Sequence, residues 1–219
     1  MLKTPITPEL ITYCENLGTR ESEALTSLRN ETLKLSNSQM LITPIQGAFL
    51  KLLVQIINAK NILEIGMFTG YSALWLASGL NNSGNLTTLD ISDKYLELAK
   101  QHWISAELQN KIIPIIAPAN ESIDVFIHNN SKFDLIFIDA NKSQYIEYYE
   151  SSLKMLNDGG IIILDNTLMY GQVLEEFPQK NFVKTLQQLN QLIKNDNRVD
   201  IVMLPIGDGL TIARKRNTQ

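Results

Sequence analysis

Leu135-Ile136-Phe137-Ile138-Asp139 and Ile161-Ile162-Ile163-Leu164-Asp165-Asn166 are the two stretches on which the reading of this chain turns. Each is a short, unbroken apolar run, the signature of a strand buried on both faces of a parallel sheet. Each ends on a carboxylate. Strands of a doubly wound sheet present their carboxyl ends to one crevice, where ligands bind, so two carboxylates and an amide converge at one sheet edge. Oxygen ligands delivered by neighbouring strand ends suit a hard divalent cation. For either Asp taken alone, the alternative is the N-cap or turn residue that opens the next helix.

Outward from these runs, the chain beyond residue 60 alternates β-rich segments with amphipathic ones, the pattern of a parallel sheet covered by helices on both faces. Strands are expected at Asn61 to Ile65, Asn85 to Asp90, Lys111 to Ile116, Phe133 to Asp139, Gly160 to Asp165, Asp200 to Leu204 and Gly209 to Ala213. Helices are expected at Tyr71 to Leu80, Ser92 to Glu107, Asn120 to Asn129, Lys142 to Leu156 and Phe182 to Asn195. Only Pro205-Ile206-Gly207-Asp208 separates the last two strands, too little for a crossover helix, so they form an antiparallel hairpin. The fold class is α/β: a mostly parallel seven-stranded sheet ending in an antiparallel hairpin. That ending favours a methyltransferase architecture over a dinucleotide dehydrogenase, whose strands more often all run parallel. Residues 1–59 read as three helices, around Thr7 to Leu17, Glu21 to Leu35 and Pro44 to Asn58, with no Gly/Ser linker. They are taken as a helical cap on the 60–219 core, giving one domain over 1–219.

At 219 residues the chain buries a full core without disulfides. Hydrophobic residues make up 44%, charged residues 19%, and the net charge is -4, so nothing in the composition points to disorder or to a polyanion-binding surface, and nucleic acid is left open. The single cysteine, Cys14, has no internal partner and no CxxC or Cys/His cluster nearby, so it reads as a packing or surface thiol. The start, Met1-Leu2-Lys3-Thr4-Pro5, lacks an apolar leader region, and no apolar run approaches the roughly 18 residues of a membrane helix, so the expectation is a cytoplasmic protein.

The first strand leads into Glu64-Ile65-Gly66-Met67-Phe68-Thr69-Gly70-Tyr71-Ser72, a loop with glycines four apart. Glycine lets backbone pass close to a ligand and permits positive φ. A dinucleotide site would read GxGxxG; here the pattern is ExGxxxG, and an acid two residues before the first glycine repels a pyrophosphate but suits a cation such as S-adenosylmethionine, with its amino group and sulfonium. Asp90, at the end of the second strand, can accept both hydroxyls of a ribose. Ala117-Pro118-Ala119-Asn120 offers backbone donors to an adenine edge or is an ordinary strand-to-helix turn.

Together, Leu63 to Ser72, Phe137-Ile138-Asp139-Ala140-Asn141-Lys142, Asp165-Asn166-Thr167-Leu168 and Met203 to Gly209 resemble the cation-dependent O-methyltransferases. That family includes caffeoyl-CoA O-methyltransferase, its bacterial relatives and, more distantly, catechol O-methyltransferase. The likeness runs from about Met40 to Arg214 with the motifs in family order. It implies a Rossmann-like, class I S-adenosylmethionine-dependent methyltransferase fold. It also implies Asp139, Asp165 and Asn166 as ligands of a divalent cation, usually Mg²⁺. Glu64, Gly66, Ser72, Asp90, Ala119 and Asp139 would line the S-adenosylmethionine pocket, with Met40 and Ile42 closing over it. Lys142 matches the lysine the family places beside the acceptor hydroxyl, and with Asp139 forms the catalytic pair. Relatives often carry Asp where this chain has Asn141, and the plant enzymes a tryptophan where it has Met169, so cofactor affinity and acceptor choice are the properties expected to differ.

A phenol with a pKa of about 10 is mostly protonated at neutral pH, so methylation requires its oxyanion to be made or stabilised. Mg²⁺ chelated by adjacent hydroxyls lowers their pKa and orients them. Lys142 either takes the proton or stabilises the oxyanion. Asp208 either hydrogen-bonds the acceptor's second hydroxyl or a cofactor group, or is a plain turn residue. His102 and His128 read as packing or surface residues, and Arg214-Lys215-Arg216 as a solvated end or a phosphate contact. The function expected is methylation of a catechol-like or caffeoyl-like small molecule by a homodimer. The alternatives are tRNA hydroxyuridine O-methylation, against which the acidic chain argues, and a non-catalytic S-adenosylmethionine-binding interaction protein.

Overall fold

The computed structural model describes residues 4–217. Met1 to Lys3 of the N-terminal run read above lie outside the described residues. Three helices open the chain: α1 (Pro8–Gly18), α2 (Glu23–Thr32) and α3 (Pro44–Ile56). Their starts are written locally. Thr7 and Ser22 accept from the backbone of Leu10 and Leu25, and Thr43 with Gln46 forms a capping box around Pro44 at the first turn. Strands β1 (Asn61–Ile65), β2 (Asn85–Asp90), β3 (Ile112–Ile116), β4 (Phe133–Ile138) and β5 (Leu156–Leu164) then alternate with α4 (Tyr71–Gly79), α5 (Leu96–Ser105), α6 (Ala119–His128) and α7 (Tyr145–Met155). The chain ends with α8 (Asn181–Lys194), β6 (Val199–Leu204) and β7 (Leu210–Lys215).

The sheet order is β3-β2-β1-β4-β5-β7-β6, with β7 antiparallel to both of its neighbours. The fold class, the methyltransferase-type sheet and its terminal hairpin are as expected. The order reverses between β1 and β4, which puts the ligand crevice at their carboxyl ends. Register makes this sharp: Ile65 pairs with Ile138 and Ile138 with Leu164, so Gly66, Asp139 and Asp165 leave the sheet side by side. Backbone bonds carry one step further, from Asp139 N to Ile65 O (2.9 Å) and from Asp165 N to Ile138 O (3.0 Å).

Alternation in the central strands sends side chains to two cores. On one face Ile62, Leu135, Phe137 and Ile163 pack with Leu28, Leu50, Val54, Trp75 and Trp103 of the helices; on the other, Leu63, Ile136, Ile138 and Ile162 pack with Tyr145, Tyr149, Leu186 and Leu189. Helices α2 and α3 thus share the first core with the sheet, whereas α1 buries no residue.

Several boundaries move, for identifiable reasons. Strand β5 starts at Leu156 instead of Gly160, because Phe133 pairs with Leu156 across a register shift and Asn157 Nδ2 donates to Asp134 Oδ1 at 2.8 Å. Helix α5 starts at Leu96 instead of Ser92: Asp90 Oδ1 accepts from Ser92 N and Ser92 Oγ from Lys94 N, turn bonds that compete with a helix. The helix expected from Lys142 opens as a 3₁₀ turn, Lys142–Gln144, before α7. Arg214 and Lys215 are not a free end but belong to β7, and Arg216 pairs with Asp200. The stretch Ser38–Ile56 does reach the length and apolar composition of a membrane span, contrary to the sequence reading. A 3₁₀ turn at Ser38–Met40 and an extended break before Pro44 interrupt it, leaving α3 with 13 residues.

Candidate functional site

One cleft of about 1470 Å³ opens along the carboxyl edge of β1, β2, β4 and β5. Its floor begins with the loop after β1. Gly66 has φ 104°, and a Cβ there would come within 1.9 Å of the Asp139 backbone oxygen, so only glycine lets β1 and β4 close on each other. Gly70 has φ 79° and packs under Trp103, whose indole N–H donates to its carbonyl at 3.2 Å. Asp90 shapes the same loop: its Oδ2 accepts from Met67 N (3.1 Å) and Phe68 N (3.0 Å).

At the opposite end stand the acids after β4 and β5. Asp139 Oδ1 accepts from Lys142 Nζ at 2.8 Å, and the same ammonium donates to Tyr145 Oη at 2.8 Å. Tyr145 is fully buried, and burial, then the charges of Asp139 and Asp165, push its hydroxyl well above its usual range. Asp165 is buried, and both its oxygens accept from Gln46 Nε2, at 2.9 and 3.0 Å; its Oδ1 also accepts from Asn166 N at 2.7 Å. Burial and the facing charge of Asp139 push its carboxyl up to about 8. Asn166 follows in a left-handed conformation, φ 56°, that turns the chain sharply out of β5.

Met40, Ile42, Gly66, Ser72, Asp90, Ala119, Asp139, Lys142, Asp165 and Asn166 all line this cleft. Glu64 does not. It lies beneath the wall, fully buried, with Oε2 accepting from Thr88 Oγ1 at 2.5 Å and Oε1 unpartnered; burial holds its carboxyl up to about 8. Asn141 faces the cleft and its Oδ1 accepts from Ser143 N at 3.2 Å, a capping task that an aspartate would also perform. Asp208 lines the cleft from the hairpin turn, where its Oδ1 accepts from Tyr170 N at 2.5 Å and so holds the segment after β5, while its Oδ2 is buried without a partner. Cys14 is exposed on the cleft side of α1; His128 is exposed, and His102 is buried with Nε2 3.1 Å from Glu31 Oε1.

Two residues of the site escaped sequence reading. The Thr43-Pro44-x-Gln46 pattern announces a capping box, but nothing local says that Gln46 Nε2 also reaches Asp165, 119 residues away. Tyr145 sits three residues after Lys142, a helical spacing that places the two together once the short turn is granted.

No group of three or more His, Cys, Asp or Glu side chains poised for a metal occurs among the described residues. The donor set at the strand ends is instead two carboxylates and an amide, hard oxygens suited to Mg²⁺. Asp165, raised by burial and by the charge of Asp139, is the carboxyl that a cation would return to its ionised form. The set therefore fits a divalent cation. The unpartnered Glu64 oxygen beneath the glycine loop likewise suits a cationic ligand above it.

Comparison with known proteins agrees with this geometry. The O-methyltransferase family profile matches residues 15–216. Caffeoyl-CoA O-methyltransferase of Medicago sativa is 36% identical over 205 residues, covering 90% of this chain and 83% of that enzyme. The crystal structure of an O-methyltransferase from Bacillus cereus, in complex with S-adenosylhomocysteine, superposes with a TM-score of 0.87 at 31% identity, covering 95% of this chain and 97% of the other. O-methyltransferase TomG of Streptomyces achromogenes, involved in tomaymycin synthesis and solved with S-adenosylmethionine, gives 0.85 at 25% identity, covering 95% and 96%. The chain belongs to the O-methyltransferase family.

Proposed function

We propose that this O-methyltransferase transfers a methyl group from S-adenosylmethionine to one hydroxyl of a catechol-like or caffeoyl-like small molecule, with a divalent cation held by Asp139, Asp165 and Asn166. The observation that carries the reading is the register of β1, β4 and β5, which delivers the glycine loop, Asp139 and Asp165 to one cleft wall. S-adenosylmethionine supplies an electrophilic methyl on sulfur, and the cation supplies Lewis acidity and a chelate for adjacent hydroxyls.

The protein's own part is positioning and electrostatics. The loop 66–72 and Asp90 line the cofactor end; the buried Glu64 carboxyl beneath holds its proton until a positive charge above it draws it into the ionised form. Lys142, fixed by Asp139 and Tyr145, donates a hydrogen bond to the acceptor oxygen as negative charge gathers there. Met40 and Ile42 line the same cleft, and the family resemblance gives them the part of closing over the cofactor. The family resemblance also supports a homodimer working in the cytoplasm.

Methyl transfer from labelled S-adenosylmethionine to a panel of catechols, with Mg²⁺ and with EDTA, tests the proposal. Turnover that EDTA removes is expected. Turnover indifferent to EDTA refutes the cation, and labelling of unmethylated tRNA alone refutes the small-molecule acceptor.

A further inference from the structure

We propose that Glu21 is a positioning residue for the cofactor: from the N-terminal cap it holds Tyr71 and, together with the Thr32–Thr69 pair, keeps the loop 66–72 in the shape that receives S-adenosylmethionine. The inference rests on the cofactor part of the reading above and adds to it Glu21 and Thr32, which lie behind the cleft wall and do not line it. The loop needs such support. Gly66, Phe68 and Gly70 have positive φ, at 104°, 50° and 79°, so alternate residues of the loop sit in conformations that persist only where the surroundings impose them. From the sheet and α5, Asp90 and Trp103 hold Met67, Phe68 and Gly70.

The remaining ties come from the N-terminal segment 21–37. Tyr71, the first residue of α4, donates its hydroxyl to Glu21 Oε1 at 2.5 Å. Arg29 on α2 fixes that carboxylate in turn, with Nε donating to both oxygens at 3.0 Å and Nη2 to Oε2 at 2.7 Å. Farther along α2, the hydroxyls of Thr32 and Thr69, both fully buried, are hydrogen-bonded at 2.9 Å. Beyond α2, Asn37 Oδ1 accepts from Tyr95 Oη at 3.0 Å, and the Tyr95 ring stands edge-on to Phe68 with centroids 5.2 Å apart. Burial, then the bond to Glu21, hold the Tyr71 hydroxyl above its usual range, so it stays a donor. The Glu21 side chain is only 11% exposed, and a carboxylate so far out of water is a costly way to attach a helix that Leu25 and Leu28 already bury against the core. What the ion pair adds is one fixed acceptor for the residue that joins the loop to α4.

The test titrates S-adenosylhomocysteine calorimetrically into the full chain and into Glu21→Ala, Glu21→Gln and Tyr71→Phe. Loss of a hydrogen bond to a charged acceptor should raise Kd about tenfold in Glu21→Ala and in Tyr71→Phe, and the double variant Glu21→Ala/Tyr71→Phe should bind no more weakly than either, because the two act through one bond. Glu21→Gln keeps an acceptor for Tyr71 and should stay within about threefold of wild type. Should Glu21→Ala fail to fold, Tyr71→Phe, which keeps its ring packed, carries the test. Coupling is reciprocal, so S-adenosylhomocysteine should slow hydrogen exchange of the α2 amides in wild type and not in Tyr71→Phe. Kd within about twofold of wild type in Tyr71→Phe, equal losses in Glu21→Gln and Glu21→Ala, or α2 exchange indifferent to the ligand overturns the inference. A wild type that does not bind S-adenosylhomocysteine overturns it together with the cofactor reading. Binding that depends on Glu21 in a protein that methylates no catechol refutes the acceptor proposed above and leaves the role of Glu21 standing.

Discussion

Glu64→Gln isolates the electrostatic cost of the buried end of β1. The side chain is fully buried, has one hydrogen-bonded and one unpartnered oxygen, and carries a carboxyl raised from 4.5 to about 8 by burial, with the charges of Asp139 and Asp90 acting in the same direction. The native state therefore keeps a proton that the unfolded chain releases above about 4.5. Between that value and about 8 the native state binds more protons, so stability falls as pH rises through the interval. At about 1.36 kcal/mol per unit, the loss is on the order of 5 kcal/mol. Glutamine keeps the shape and cannot titrate. It leaves an amide N–H unsatisfied, which costs about 1–3 kcal/mol at every pH. The variant should thus be the less stable protein near pH 5 and the more stable one near pH 9, roughly, with the two curves crossing between. Urea unfolding followed by the fluorescence of buried Trp75 and Trp103 across this range measures both curves. A difference between wild type and variant that does not change with pH would refute the reasoning.

Asp165→Ala should abolish divalent-cation-dependent turnover while leaving S-adenosylmethionine binding by calorimetry largely intact; equal loss of both would sink the metal assignment. Gln46→Leu removes two bonds to a buried carboxyl and half of a capping box, and should destabilise the fold by about 2–3 kcal/mol in urea unfolding, against less than about 0.5 kcal/mol if the bonds are incidental. Tyr145→Phe takes an acceptor from Lys142 and should lower kcat about tenfold with cofactor affinity unchanged; unchanged kcat would show that Asp139 alone positions the lysine. Gly66→Ala should cost more than about 4 kcal/mol or prevent folding, because the new methyl meets backbone that cannot retreat, and a variant within about 1 kcal/mol of wild type would contradict that packing.

What the sequence disclosed tracks the range of the forces involved. The buried strands, the hairpin closed by Pro205 to Asp208 and the capped starts of the N-terminal helices are written in neighbouring residues, and they appear where expected to within a few positions. Strand ends at Asp139 and Asp165 were legible because the change from apolar run to carboxylate is abrupt. The irregular start of β5 was not, since it depends on Asn157 meeting Asp134 across the sheet. Nor was the split before α7, where the Asn141 side chain diverts the first turn. At the site, the residue types were readable and their partners were not. Gln46 reaches Asp165, and Asp208 holds Tyr170, only after β5, α3 and the hairpin have been folded together. Glu64 shows the converse: its motif pointed to the cleft wall, and the alternation of β1 turned its side chain beneath it instead.

Backbone conformation follows the same division between fold and site. Among the described residues, seven non-glycine residues have positive φ. Asn58, Glu107 and Asn130 lie just beyond the ends of α3, α5 and α6, where a left-handed residue closes a helix. The other four, Phe68, Asn166, Met169 and Tyr170, all line the cleft. Those positions satisfy no helix end, and bulky side chains there cost energy that ordinary turns avoid. Acids hold three of them in place: Asp90 accepts from Phe68 N, Asp165 from Asn166 N and Asp208 from Tyr170 N. The carboxylates that give the cleft its negative character are therefore also the clamps that set its loops. Neutralising one to alter charge would release a strained loop as well, so electrostatics and shape at this site cannot be varied independently by single substitutions at Asp90, Asp165 or Asp208. Glu15, which lines the cleft from α1 and makes no such backbone clamp, is the position where charge can be changed while the loops stay in place.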